Sequence, residues 1–330
     1  MLRQLGYYLM NAPSTYSRRD FITVFASAVA ALSVARSAAA STSPNREHVS
    51  GRCLHVFSKP LHWLSCADAA RLVAEAGFDG IDYAVRTGGH VAPDRVRDEL
   101  PRAIDAAHAA GLKAEMITTG ITRPDDRHTR AIIETAAKCG VKYYRMGRFE
   151  YDLASGVWNT LQKLKLVMAE LARLNESYGI HGAIQNHAGR GVGAACWDVF
   201  ELIRDLNPRW LGCQYDIRHA VAEGGESWPV ALQLLQPWIH CTNLKDFRWI
   251  QAPGKATIED MPLGEGIVNF DAYFRFERQL GIGGPRSVHF EYSPFEPPPE
   301  RPNSGTRSVF LSAMRKDSQT LSTMLRQASI

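Results

Sequence analysis

The feature that most constrains the fold is an alternation of short apolar runs with longer segments of helical period. Eight strand-like runs lie at 53–58, 80–83, 113–118, 143–146, 182–186, 211–216, 239–244 and 287–292. Segments with apolar residues three or four apart lie at 67–76, 96–110, 126–139, 160–178, 197–206, 228–236, 270–280 and 308–326. Eight strands, each followed by a helix, favour a closed parallel (β/α)8 TIM barrel.

An open, doubly wound sheet is the main alternative architecture. Its first strand is usually followed by a glycine-rich phosphate loop. Residues 55–60 read His-Val-Phe-Ser-Lys-Pro and contain no such loop. We therefore predict one barrel domain over residues 52–330.

The first forty residues have the pattern of an export signal. Residues 17–22 read Ser-Arg-Arg-Asp-Phe-Ile and resemble the twin-arginine motif, and an apolar run follows over 21–35. The run is too short to span a bilayer comfortably. We predict a cleaved signal peptide at 1–40, a linker at 41–51, a periplasmic product and no stable membrane anchor. An amphipathic N-terminal helix of a cytoplasmic protein is the alternative.

Charge and cysteine usage exclude several classes of protein. The chain has 38 basic and 34 acidic residues, and most of the excess lies in the predicted signal peptide. A nearly neutral body argues against nucleic-acid binding. The six cysteines form no CxxC pattern, so we expect unpaired thiols and no structural zinc site.

Four of the predicted strands have polar residues near their ends or just beyond them, with His240 inside the seventh run, and TIM-barrel active sites form where the strands end. These residues are Gln185, His187, Asp216, His219, His240 and Glu291. One amide oxygen, one imidazole and two carboxylates suit Mn²⁺, Mg²⁺, Co²⁺ or Zn²⁺. A divalent ion held there would chelate sugar oxygens and polarise a carbonyl.

Each of these residues also has a purely structural interpretation. Asp216 can cap the helix that follows its strand, and His240 can be a core histidine. Gln185 can simply form hydrogen bonds in the barrel mouth. Glu291 ends an apolar strand, where a carboxylate needs a partner or a metal.

Other polar residues follow the first, second and seventh strands. Lys59, Arg86, His90 and Lys245 are the predicted substrate-binding residues of the rim. We expect them to hydrogen-bond sugar hydroxyls or a carboxylate.

These strand-end segments resemble the xylose-isomerase-like superfamily, in particular its sugar phosphate isomerase/epimerase branch. The most specific piece is the D-x-x-H that runs from Asp216 to His219. Matching stretches also lie at 57–61, 77–82, 86–90 and 263–266, so the resemblance covers nearly the whole body.

The resemblance implies a metal held by Glu, Asp, His and Glu, at Gln185, Asp216, His240 and Glu291. The first position departs, because glutamine cannot take a proton. Family epimerases use the first and last glutamates as paired acid/base groups, so this departure argues against a two-carboxylate epimerisation. Glu291 then serves as one base, with His187 or His219 as the second group.

We therefore expect a metal-dependent isomerase or epimerase of a sugar, keto-sugar or related polyol. The alternative is a metal-dependent lyase that eliminates the glycosidic oxygen of a 3-keto-glycoside, since elimination needs only one strong base. A non-catalytic sugar-binding barrel is a further option, and an abasic-site endonuclease is disfavoured by the charge balance. The sequence leaves the sugar, the metal and homo-oligomerisation open.

Overall fold

Eight parallel strands close into a barrel in this computed structural model, which describes residues 53–299 and 301–328. The strands are β1 Leu54–Phe57, β2 Gly80–Val85, β3 Met116–Thr119, β4 Tyr143–Arg145, β5 His181–Gln185, β6 Leu211–Asp216, β7 Ile239–Leu244 and β10 Arg286–Val288. Each strand pairs with its neighbour in this order, and β10 closes the barrel against β1. The predicted (β/α)8 barrel is confirmed.

Nine α-helices are found among the described residues, and they pack outside the barrel. They are α1 Cys66–Glu75, α2 Val96–Ala109, α3 Thr129–Lys138, α4 Val157–Tyr178, α5 Cys196–Ile203, α6 Ile217–Gly224, α7 Trp228–Leu235, α8 Phe270–Gln279 and α9 Ser304–Gln327. Several begin at a side-chain cap, as Ser65 accepts from the Asp68 amide and Asn303 forms a capping box with Thr306.

An antiparallel hairpin interrupts the barrel pattern between β7 and β10. It consists of β8 Asp246–Ala252 and β9 Lys255–Met261, and it was not predicted. Asp246 fixes the loop that follows, because its Oδ2 accepts from the amides of Gly264 at 3.0 Å and Gly266 at 2.9 Å. A Cβ atom at Gly266 would collide with Asp246. Glycine is therefore required for this close approach.

Apolar side chains fill the barrel and the layer between strands and helices. Met116, Ala183 and Cys241 pack together in one small cluster, and a larger cluster joins the strands to the helices. All six cysteines are free thiols, as predicted. Burial of each large aliphatic side chain contributes about 1.5–3 kcal/mol.

The boundaries of the last barrel strand differ from the prediction. The strand ends at Val288, and the His289 amide makes one further bond to the Leu244 carbonyl at 3.0 Å. Glu291 therefore lies on the loop beyond β10 rather than at the tip of the strand.

The predicted signal peptide at 1–40 and linker at 41–51 lie outside the described residues. Within residues 53–299 and 301–328, every helix is too short or too polar to cross a membrane.

Candidate active site

A cavity of about 310 Å³ opens at the C-terminal ends of the strands. It is lined by Phe57, Lys59, Arg86, Thr119, Gly120, Thr122, Arg145, Gly147, Arg148, His187, Lys245 and Glu291. Five of these side chains carry a positive charge at neutral pH and one carries a carboxylate. The cavity is therefore strongly cationic.

Lys245, directly after β7, joins the acidic groups of the site. Its side chain is 3% exposed, and its Nζ lies 3.1 Å from Glu291 Oε2 and 3.4 Å from Asp216 Oδ2. The same Nζ is 2.8 Å from His219 Nε2. One buried amine thus contacts two carboxylates and an imidazole.

The two carboxylates are ionised at neutral pH. Burial opposes ionisation of Asp216, but Lys245 beside it and the hydrogen bond from the His219 amide hold its pKa well below the ordinary value. Burial likewise opposes ionisation of Glu291, and Lys245 with His289 lowers its pKa well below the usual range. Asp216 also caps α6 by accepting from the His219 amide at 3.2 Å, so its structural interpretation holds as well.

Gln185, at the end of β5, is held from both sides. Its Oε1 accepts from Arg145 Nη1 at 2.7 Å, and its Nε2 donates to Asp216 Oδ2 at 2.7 Å. Arginine can only donate and an ionised carboxylate can only accept, so these partners fix the orientation of the amide. Burial lowers the pKa of Arg145 to about 10, which still leaves it charged at neutral pH.

The structure does not bring His240 to this site. The ring of His240 packs edge-on against His181, the first residue of β5, with centroids 4.7 Å apart. His240 therefore lies near the N-terminal end of the barrel, and its prediction as a metal ligand is corrected. It precedes Asn243 by three residues, or about 10 Å of extended strand.

Asn243 stands where the seventh strand faces Asp216, its partner in the β6–β7 register. Its Nδ2 donates to Asp216 Oδ2 at 3.4 Å, and its Oδ1 accepts from Gln214. Cys241 points into the barrel, and alternate residues of a strand share a face. Asn243 and Lys245 therefore lie on the same face of the chain as Cys241, whereas His240 lies on the other face.

The two other predicted histidines lie close together, with ring centroids 3.9 Å apart. His187 lines the cavity, and its Nδ1 lies 2.8 Å from the Ala188 carbonyl while Arg148 contacts its Nε2. Burial, with Lys245 and Arg148 nearby, lowers the pKa of His187 to about 4. Burial also lowers the pKa of His219 well below its usual value. Both imidazoles are therefore neutral at neutral pH.

The predicted rim residues divide into two groups. Lys59 and Arg86 line the cavity, and Lys59 pairs with Glu296 at 3.2 Å. His90 instead lies behind the wall, where its Nδ1 is 3.0 Å from Ser58 Oγ and its ring meets that of His62. Burial lowers the pKa of His90 to about 4.

Three residues of the site were not predicted, namely Arg145, Arg148 and Asn243. Arg145 ends β4 and Arg148 follows it, so the rule that located Gln185 and Asp216 applies to this strand too. Asn243 carries a weaker signal, which is its position two residues before Lys245, on the same face of β7.

The donor set does not fit the divalent metal that the resemblance implies. The Gln185 oxygen is occupied by a guanidinium, an asparagine stands at the facing position of β7, and an amine bridges the two carboxylates. No group of three or more His, Cys, Asp or Glu side chains within the described part of the chain is arranged to hold a metal ion. Lys245 and Arg145 would also repel a cation.

Comparison with known proteins places the chain in a family. The profile described as "Xylose isomerase-like TIM barrel" matches residues 70–309. A search of curated proteins gave no significant match.

Solved structures share this fold at low sequence identity. The IOLI protein with a bound zinc atom is 17% identical over 81% of this chain and 97% of its own, with a TM-score of 0.63. A xylose isomerase-like protein from Mycobacterium smegmatis, in complex with magnesium, is 16% identical over 82% and 97%, with a TM-score of 0.58. The 3-keto-D-glucoside 4-epimerase of E. coli is 15% identical over 80% and 99%, with a TM-score of 0.56. The chain belongs to the xylose isomerase-like TIM barrel family.

Proposed function

We propose that this chain is a sugar isomerase that moves a proton between adjacent carbons with Glu291 as its single base. The observation that carries the proposal is the Glu291–Lys245 pair, 3.1 Å apart, at the wall of the cavity. Glu291 is the one carboxylate among the described residues that line the cavity. The family, and the sugar epimerase among the related structures, support a carbohydrate substrate.

The proposed reaction starts from a sugar whose carbonyl oxygen accepts a hydrogen bond from Lys245. Glu291 removes the proton from the carbon next to that carbonyl, and the electron pair moves onto the carbonyl oxygen as an enediolate. The Lys245 ammonium stabilises this developing charge, as a fixed cation does in a dry site. Glu291 then returns the proton to the former carbonyl carbon. The proton of the neighbouring hydroxyl moves to the former carbonyl oxygen, so that the hydroxyl-bearing carbon becomes the new carbonyl and atoms and charge balance.

The geometry favours this one-base route over an epimerisation. Inversion at one carbon needs acid/base groups on both faces of the substrate, and the second carboxylate is replaced by Gln185. His187 does not supply a second acid, because it is neutral at neutral pH and its Nε2 faces the Arg148 donor.

A lyase acting on a 3-keto-glycoside is the second candidate, and the same single carboxylate favours it. Glu291 would remove the proton beside the ketone, a carbon–carbon double bond would form, and the glycosidic carbon–oxygen bond would break. The departing oxygen would then take a proton from water. The family relationship to a 3-keto-D-glucoside epimerase makes such substrates worth testing.

Incubation of the full chain with ketoses, aldoses, uronates and 3-keto-glycosides in deuterated water tests both candidates. An isomerase converts its substrate to a product of the same formula that carries deuterium next to the carbonyl, whereas a lyase gives two fragments. Both reactions should disappear in Glu291→Gln. They should persist in Glu296→Gln, which changes the nearby glutamate that pairs with Lys59. Absence of exchange and of cleavage across all four substrate classes would refute the proposal.

A further inference from the structure

Three arginines of the cavity have no acidic partner. Arg86, Arg145 and Arg148 all line the cavity, and none forms an ion pair with a described residue. The two lysines differ, since Lys59 pairs with Glu296 and Lys245 with Glu291. No carboxylate of the described residues therefore lies within ion-pair distance of the three guanidinium groups, and Asp82 and Glu291 act on Arg86 and Arg145 only from farther away.

Two of these guanidinium groups lie beside the same aromatic ring, and Arg86 lowers the pKa of Arg145. The Cζ atoms of Arg86 and Arg145 each lie 5.4 Å from the centroid of the Phe57 ring. Phe57 is itself buried and packs against His289, so it is a rigid support. Like charges fixed near one another repel, and an anion between them removes the repulsion.

Arg145 also has a donor without a partner. Its Nη1 bonds to Gln185, but its Nε is buried and meets no acceptor among the described residues. A buried N–H left unpaired costs about 1–3 kcal/mol, so a ligand oxygen at this position is favourable. Burial lowers the pKa of Arg86 and Arg145, and Asp82 and Glu291 nearby raise it only in part.

We infer that Arg86, Arg145 and Arg148 bind an oxyanion group, a carboxylate or a phosphate, carried by the sugar substrate. Planar guanidinium groups match the two oxygens of such anions and bind them with strong hydrogen bonds. A volume of about 310 Å³ is at the small end for ligand cavities, which suits one sugar ring with its anionic group. The inference rests on the proposed function in that it places this group on the reacting sugar.

Calorimetric titration of the full chain tests the inference without requiring turnover. The Glu291→Gln variant is used throughout, so that no ligand is consumed. The probes are D-glucose, D-glucuronate and D-glucose 6-phosphate. We expect at least one anionic sugar to bind about 10- to 100-fold more tightly than glucose, the range that charged hydrogen bonds provide. Whichever anion binds more tightly identifies the group, and raising the salt concentration should weaken that binding alone.

Matched arginine variants locate the subsite. Arg86→Gln and Arg145→Gln, each checked for a native thermal transition, should remove most of the advantage of the anionic sugar. Arg102→Gln changes an exposed arginine of α2, outside the cavity, and should leave that advantage intact. Two arginine variants guard against the failure of either one to fold.

Two results would overturn the inference. One is equal binding of glucose and both anions, or no binding of either anion. The other is a preference for anions that survives in both Arg86→Gln and Arg145→Gln. If anions bind but no sugar is isomerised or cleaved, the proposed function fails and the subsite stands. If only neutral sugars are turned over, the subsite fails and the proposed function stands.

Discussion

The two ends of the barrel each contain a pair of histidines in ring contact, and the two pairs have different surroundings. At the N-terminal end, His181 and His240 pack edge-on with centroids 4.7 Å apart, and the Arg209 carbonyl lies 3.1 Å from His181 Nδ1. At the C-terminal end, the rings of His187 and His219 lie 3.9 Å apart. Here cations surround the rings, since Arg148 contacts one and Lys245 the other.

The comparison shows that position along a strand decides what a histidine can do. In the pair at the N-terminal end, named the lower pair, burial lowers the pKa of His181 to about 3, and His240 is half-buried. In the pair at the C-terminal end, named the upper pair, His219 contacts Lys245, which in turn contacts Asp216 and Glu291. The other member, His187, lines the cavity. The predictions below test whether chemistry is confined to the upper end, in order of decreasing expected effect.

Removal of the Lys245 amine at the C-terminal end of the barrel should have the largest effect on activity. Lys245→Met takes away the cation proposed to stabilise the enediolate, and kcat/KM should fall about 10²- to 10³-fold, as when one oxyanion-stabilising donor is lost. His240→Gln is the matched change at the lower end and should leave kcat/KM within about twofold, because it touches no reacting group. Steady-state kinetics on the substrate found in the deuterium screen measures both. A comparable loss in His240→Gln would contradict the confinement of chemistry to one end.

Metal content is the second test, because the C-terminal end of the barrel has amides and an amine where the family resemblance implies metal ligands. Elemental analysis after gel filtration should find no stoichiometric divalent ion in the wild type. A triple variant combines Gln185→Glu, Asn243→His and Lys245→Met. It would place a new carboxylate and a new imidazole beside the carboxylates of Asp216 and Glu291. This variant should bind about one Mn²⁺ or Zn²⁺ per chain, and Lys245→Met alone should not. Stoichiometric metal in the wild type, lost in Asp216→Ala, would refute our interpretation of the site.

The stability of the upper end should depend on Asp216. Asp216→Ala leaves the buried Lys245 with one carboxylate fewer and removes the cap of α6. Loss of one partner of a buried ion pair costs about 3–5 kcal/mol, which urea unfolding can measure. Asp125→Ala, which breaks the exposed pair with Arg123, should leave the unfolding midpoint unchanged. If both variants unfold at the wild-type midpoint, the buried network contributes no stability.

The smallest expected effect is a difference in pH dependence between the two histidine pairs. The pKa of His181 is about 3 when folded, against an ordinary value of about 6.5, so the unfolded state binds more protons between these pH values. Stability is therefore lost as the pH falls below about 6.5, by at most about 1.4 kcal/mol per pH unit for one histidine. His181→Gln should remove more of this dependence than His187→Gln below about pH 4, where His187 binds a proton in the folded state as well.

Urea unfolding at pH 3, 4, 5, 6 and 7 gives the slope for each variant. Asp82, whose pKa burial raises to about 6, works in the opposite direction in the same range and is retained in both variants. A slope in His181→Gln equal to that of the wild type would show that the lower pair is not buried as described.

The sequence alone determined the barrel and four of the polar residues of its site. Eight apolar runs separated by helical periods have one compact solution, and the polar residue at each strand end then falls at one rim. That logic located Gln185, Asp216, Lys245 and the loop residue Glu291. Asp216 caps α6, as its structural interpretation allowed, and its side chain also pairs with Lys245.

Tertiary structure decided which charges meet. The register of β6 against β7, with a one-residue shift between Cys213 and Gln214, pairs Asp216 with Asn243, whereas His240 lies three residues earlier on β7. A period of two along an isolated strand cannot reveal that register, because it depends on the neighbouring strand. The contacts of Gln185 with Arg145 and of Asp216 with Lys245 join residues far apart in the chain. Those contacts exist only once the barrel closes, and they turn a predicted metal site into one built around an amine and guanidinium groups.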